Sequence, residues 1–407
     1  MTGEKSQSIN FSYGNVIFSP QEEMLEVGKK QKKLTIGIPR EKSSIEKRVA
    51  LTPEAVEILV NNGHDIIIES KAGEGANYSN TDYSERGGFI EENRGQVFQT
   101  DIILKVAPLT MEELKLVKGK QTVISSLHLT SQTEEYIRKL MQLRMTAIAF
   151  ENIRDEHHHH PVVRSMSSIA GTTSVLIAGE LLSNAQGGKG VMLGGITGIT
   201  PTEIVIIGAG TAAEYAVRAA LGLGASVKIF DNSVNRLNQI QNAIGHPLHT
   251  SVFHPKVLSK SLKSADVVIG AIDIEEGGPR FYVTEEQVKK MKKGSVIIDI
   301  SIDQGGCVET SECRTLQNAV FTKHGVIHYS VVNFPSRVAR TASIALSNVL
   351  LPLLIEVANA GGIHKKLKRD IGVRHGVYVF NGLLTNRFMG EHFNIPTKDI
   401  DLLMAAF

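Results

Sequence analysis

Four ionisable side chains stand near the ends of stretches that read as strands: Arg48 in SSIEKRVALTPEA, Lys105 in DIILKVAPLT, His128 in TVISSLHL and Asp303 in SVIIDISIDQGG. Together these residue types could oxidise or reduce a small acid. An arginine holds a carboxylate bidentately. A histidine serves as general base when an amine or hydroxyl is oxidised. A further polar group, here Asp303 or Lys105, can face a developing carbonyl or tetrahedral intermediate. Each residue also has a structural reading. Arg48 can cap a surface turn, His128 can be a satisfied core histidine and Lys105 can extend its stem to the surface. Asp303 can cap the turn before Gly305-Gly306. Arg48, Lys105 and His128 all follow runs that read as parallel strands of one block, which favours the chemical reading.

Such chemistry needs a hydride carrier, and EIVIIGAGTAAEYAVRAALGLGASVKIFDNS supplies a place for one. An apolar strand runs into Gly208-Ala209-Gly210-Thr211-Ala212-Ala213, and a helix follows. Gly208 permits the tight turn, and Gly210 lets a pyrophosphate approach the backbone at the helix N-terminus. Ala213 takes the third small position, where helix and strand pack closely. Asp231 ends the next strand, where a carboxylate meets the ribose hydroxyls. It would repel a 2′-phosphate, so NAD is favoured over NADP, with Arg236 the one nearby cation that argues otherwise. Two later runs, SADVVIGAID and GSVIIDISIDQGG, end on the same crevice of a doubly wound sheet. Ile272, Ile300 and Asp303 are the positions expected to meet the cofactor there.

The elements that must position these residues read as α/β. Residues 34–150 alternate short strands with helices, the βαβ rhythm of a parallel sheet covered on both faces. Ala170 to Gln186 reads as a helix, and a glycine-rich loop follows it. A second α/β block runs from Glu203 to about Val332, and helices follow it. The fold class expected is two doubly wound parallel-sheet domains, one of them a dinucleotide-binding Rossmann domain.

Composition narrows the class. A net charge of +2 gives nucleic acid no general attraction. The only cysteines, Cys307 and Cys313, match no zinc motif and suit a reducing cytoplasm. HHHH at 157–160 reads as a solvated loop, so no metal is expected. The first thirty-odd residues lack the apolar core of a secretory signal. Thr341 to Gly362 is apolar enough to suggest a membrane span, but Asn348, Pro352 and Glu356 point to a buried core or interface helix.

The stretch IGIPREKSSIEKRVALTPEAVEILVNNGHDIIIESKAGEGANYSNTDY resembles the opening of the alanine dehydrogenase and pyridine nucleotide transhydrogenase family. MSSIAG, GGITGIT, VIIGAGTAA, DISIDQGG and VVNFPSRVART are similar to it as well. The resemblance covers residues 34 to about 390. His128 in SLHL and Asp303 in DISIDQGG look like the alanine dehydrogenase branch. It implies NAD-dependent, reversible oxidative deamination of L-alanine to pyruvate and ammonia. It implies Arg48 on the substrate carboxylate, His128 as acid/base, and Asp303 at the carbinolamine and ammonia steps and against the cofactor. Ser167, Thr211, Ala212, Asp231, Arg236, Val332 and Asn333 are implied to contact NAD. Also implied are a discontinuous substrate domain (34–165 with 338–407), a nucleotide domain (166–337), an extension (1–33), and a cytoplasmic homohexamer with no membrane or nucleic-acid partner. Where the family reads KVKEP, with the second lysine on the substrate, this chain reads KVAP, with Ala107 at that place. Lys105 and Ala107 share a face in an extended chain, so Lys105 is expected to face the cleft. The change leaves open a saccharopine-type amino or imino acid dehydrogenase, or a transhydrogenase-like NAD-binding module.

Overall fold

A computed structural model describes residues 32–41, 46–127, 132–272 and 281–406. In the first block, apolar runs bounded by turns form β1 (Thr35–Ile38), β2 (Asp65–Glu69), β3 (Phe89–Glu91), β4 (Ile102–Leu104), β5 (Thr122–Ser125) and β6 (Thr146–Ala149). They make one parallel sheet in the order β3-β2-β1-β4-β5-β6. The second block contributes β7 (Glu203–Ile207), β8 (Ser226–Phe230), β9 (His249–Ser251), β10 (Val267–Gly270), β11 (Val296–Asp299), β12 (Val320–Lys323) and β13 (Val326–Tyr329). Its parallel part runs β9-β8-β7-β10-β11-β13, the same doubly wound order.

Neither sheet is wholly parallel. β12 pairs antiparallel with β13 at one edge of the second sheet. Two late strands, β14 (Val377–Phe380) and β15 (Leu383–Leu384), extend the first sheet beyond β6, also antiparallel. The expected α/β class holds, with these antiparallel edges added.

In a doubly wound sheet the strand order reverses beside the first strand, and the connections there leave in opposite directions. A crevice opens between them, outside the strand carboxyl ends. In the first sheet it lies between β1 and β4, and in the second between β7 and β10. The residues that follow β1 and β4 are Pro39-Arg40-Glu41 and Lys105-Val106-Ala107. Lys105 therefore lies just past its strand rather than inside it.

Two long helices join the blocks. Pro161–Leu182 begins at a proline, whose missing N–H and fixed φ suit the first helical position. It starts well before Ala170, so Ser167 lies within it. Ala339–Ala360 packs against it. The segment Phe334–Ala360 is the one helix among the described residues long and apolar enough to cross a membrane, and 50% of its apolar window is buried. Its buried residues include Ala342, Leu346, Leu350, Leu354 and Val357, at helical spacing. Leu346, Leu350, Leu354 and Val357 share a core with Ile36, Ile38 and Ile66 of the first sheet.

Candidate active site

Arg48 is buried and held through its Nε and Nη2. Its Nε donates to Glu46 Oε1 at 2.9 Å and its Nη2 to Glu46 Oε2 at 2.7 Å. Nη2 also reaches Asn333 Oδ1 at 2.6 Å, and Nη1 points at Met166 Sδ at 3.2 Å. Burial alone would raise the Glu46 pKa, but the charge and hydrogen bonds of Arg48 outweigh it and hold it below the ordinary range. The same pairing pushes Arg48 up against its own desolvation.

Asn333 ties this pair to the second sheet. It adopts a left-handed backbone, φ 63°, and opens the turn after β13. Its amide donates to Glu46, and its backbone N–H donates to Asp303 Oδ1 at 3.0 Å. Asp303 sits on the short 3-10 turn Ile300–Gln304 after β11. Burial raises its pKa, opposed by the Asn333 N–H and by Arg48. Arg48 and Asp303, 255 residues apart in the chain (303 − 48), thus belong to one hydrogen-bonded junction.

The crevice of the first sheet holds a cavity of about 660 Å³, lined among others by Arg48, Lys71, Arg94, Lys105 and Ala107. Lys105 reaches it with its ammonium already paired: 2.9 Å to Glu113 Oε1 and 3.4 Å to Glu41 Oε2. Arg94 bridges Glu113 to Glu69. Burial would raise Glu113, but Lys105, the Thr110 N–H and Arg94 together outweigh it and the pKa falls. Glu41 is the opposite case. Desolvation pushes it to about 7 in spite of Lys105. Its Oε1 accepts the Val106 N–H at 2.6 Å, while its Oε2 has no hydrogen-bond donor.

Glu41 therefore makes stability depend on pH. Its folded pKa of about 7 lies above the ordinary 4.5. The native state keeps a proton that the unfolded chain releases in that window. This contribution is present below the unfolded pKa and is lost as pH rises through the folded one. Glu41→Gln should remove the slope, so that its melting temperature gains on the unmodified protein between about pH 5 and about pH 8. Parallel melting curves at the two pH values would sink this assignment.

At the second crevice, Gly208 takes φ 107°, and a β-carbon there would lie 2.4 Å from the Ala271 carbonyl oxygen. Gly210 caps the helix Thr211–Gly222, and a β-carbon on it would meet nothing within 4 Å. The helix N-terminus is thus open to an anion, as a pyrophosphate requires. Asp231 is buried. It accepts the Ala209 N–H at 2.8 Å and the Ser233 N–H at 2.7 Å, which leaves acceptor capacity on both oxygens. A cavity of about 160 Å³ gathers Ser167, Ala212, Ile272, Ile300 and Asp303. Ile272 is held there by Ser301, whose hydroxyl donates to its carbonyl at 2.7 Å. These residues fit a dinucleotide.

Comparison with known proteins bears on both crevices. Residues 37–170 match the family description "Alanine dehydrogenase/PNT, N-terminal domain", and residues 174–387 match "Alanine dehydrogenase/PNT, C-terminal domain". This chain belongs to the alanine dehydrogenase/PNT family. A curated alanine dehydrogenase from Staphylococcus saprophyticus is 37% identical over 369 residues, 90% of this chain and 99% of that protein. A solved L-alanine dehydrogenase aligns with TM-score 0.82 at 34% identity, over 89% of this chain and 99% of the other. A transhydrogenase from Sinorhizobium meliloti shares the fold, with TM-score 0.73 at 23% identity, over 87% and 99%.

Within this family frame, the expected site residues fall into groups. Arg48, Asp303 and Asn333 meet at the junction. Ser167, Ala212, Ile272 and Ile300 meet at the small cavity, while Gly208, Gly210 and Thr211 form the adjoining turn. Arg236 lies on the helix Val234–Ile244 after Asp231, and Val332 is partly exposed beside Asn333. Neither lines the small cavity. His128 lies outside the described residues. Sequence reasoning missed Glu46, Glu41 and Glu113, the carboxylates that pair with Arg48 and Lys105. A buried arginine and a buried lysine each demand such a partner, which is the signal that could have found them.

Proposed function

We propose that this chain is an NAD-dependent alanine dehydrogenase, which converts L-alanine, NAD⁺ and water to pyruvate, ammonium, NADH and a proton, and runs in reverse. The observation that carries the reading is the junction of Arg48 and Asp303 through Asn333. It joins a buried arginine to an aspartate at the nucleotide crevice, which supports a role for Arg48 on a substrate carboxylate. The likeness to curated alanine dehydrogenases supports the choice of substrate.

NAD, held by the turn 208–212, Asp231 and Ser167, would supply the acceptor for the hydride leaving Cα. The chain's own residues do the rest. Arg48 orients the substrate carboxylate through its Nη1 edge, where Met166 Sδ is its present contact. Lys105 shapes the cavity wall. Asp303 holds the water that adds to the imine and the ammonia that departs. His128 takes the proton as water adds. Ile272, Ile300, Val332, Asn333 and Arg236 complete the cofactor contacts. The blocks 34–165 with 338–407 and 166–337 act as substrate and nucleotide domains of a cytoplasmic homohexamer, a size that light scattering would check.

The paired state of Arg48 and Lys105 favours one second reading, a transhydrogenase-like module that binds NADH without turnover. Nicotinamide absorbance separates the two. Turnover with alanine, and with pyruvate plus ammonium, is expected. His128→Asn should lower kcat by about 10²–10⁴ while NADH still binds, as for loss of a general acid/base. Full activity in that variant would refute the role. NADH binding without turnover of alanine would favour the second reading.

A further inference from the structure

A substrate carboxylate entering the large cavity meets a cation supply that is already committed. Among the described residues, its lining cations are Arg40, Lys47, Arg48, Lys71, Arg94 and Lys105. Arg48 pairs with Glu46, Lys105 with Glu113, and Arg94 with Glu69 and Glu113. Arg40 stands 4.0 Å from Glu69. Lys47 and Lys71 have no carboxylate partner among the described residues.

The backbone separates these two lysines. Lys47 contributes its main chain: its N–H donates to Ser336 Oγ at 2.8 Å, and its carbonyl lies close against the turn 71–76. A β-carbon on Gly75 would sit 2.5 Å from that carbonyl, so only glycine lets the turn lie this close, beside Arg48. Lys71 opens the same turn at φ 67°, a left-handed conformation that L side chains disfavour. Asn80 braces it, accepting the Lys71 N–H at 2.8 Å and donating to Ser70 Oγ at 2.9 Å. Glycine would fit this backbone without strain. A lysine held there, at the lining of the cavity, is a departure that function can explain.

We propose that Lys71 supplies an unpaired cation that draws the carboxylate of the amino acid or 2-oxo acid into the cavity, acting beside Arg48. This specificity role rests on the alanine dehydrogenase reading. Ala107, on the same wall, offers no charge.

The test is calorimetric titration of pyruvate into the full-length protein–NADH complex without ammonium, together with alanine kinetics. Lys71→Ala should weaken pyruvate about tenfold and raise the KM for alanine similarly, while kcat and the KM for NAD stay within about twofold. Lys71→Arg should restore most of the affinity. The difference should shrink with added salt, because an exposed charge is screened. Lys47→Ala should leave pyruvate binding unchanged. Equal pyruvate affinity in Lys71→Ala and the unmodified protein overturns the proposal, as does a loss carried by Lys47→Ala instead. If the unmodified protein turns over alanine, either result leaves the proposed function standing. If it neither turns over alanine nor binds pyruvate, both fall together.

Discussion

Replacing Glu46 by alanine should destabilise the protein by about 3–5 kcal/mol, the usual result of removing one partner from a buried ion pair. Arg48 would keep its charge in a buried place with only Asn333 and Met166 Sδ for company. Ser336 and the Arg48 N–H would also lose an acceptor. The sign of the pH dependence follows from the depressed pKa of Glu46. Its contribution is present above the ordinary carboxylate pKa and is lost as pH falls through the folded value. The penalty should therefore be largest near neutrality and shrink in acid. Urea unfolding at neutral pH and in acid measures both effects. An equal penalty at both values would mean that the pair is not what stabilises this junction. The catalytic rate should fall as well, because Glu46 and Asn333 set the plane of the guanidinium.

The second large effect is expected at the nucleotide turn. Gly208→Val should weaken NADH roughly 100-fold or more, since removing the close backbone approach disrupts the whole fingerprint turn. Two obstacles coincide there. The backbone is at φ 107°, and the new β-carbon would meet the Ala271 carbonyl oxygen at 2.4 Å. That carbonyl cannot move aside cheaply, because the N–H of the same peptide unit, that of Ile272, donates to Ser301 Oγ at 3.1 Å. The turn itself must shift, and Ala209, Gly210 and the helix N-terminus shift with it. Gly222→Ala, at a helix end with open space around it, is the control and should bind NADH normally. Fluorescence titration of NADH reads both variants. Unweakened binding in Gly208→Val would show that the pyrophosphate does not use this turn.

Much of this architecture was legible because it is local. Ile204–Ile207, the small residues 208–213 and Asp231 form one uninterrupted βαβ signal, and short apolar runs alternating with helical stretches placed most of the strands and helices. What escaped notice is long-range. Nothing near Lys105 announces Glu41, because β1 and β4 are neighbours only once the sheet is wound. Nothing near Arg48 announces Asn333, which reaches it through a left-handed turn after β13. Glu46 lay only two residues from Arg48 and could have been read. The helix expected from Ala170 begins at Pro161, where a proline was itself a start signal that the neighbouring histidines obscured.

The order of the strands along the chain also sets an order of assembly. β14 and β15 complete the first sheet, yet β14 pairs with β6 from more than 200 residues later (377 − 149 = 228). Every strand of the second sheet lies between them. During synthesis, which delivers residues one after another, the second sheet has all its strands while the first still lacks its last two. The half of the protein that begins first is thus finished last. Until residues 377–384 emerge, β6 presents an unpaired edge, the kind of surface on which strands from other chains add.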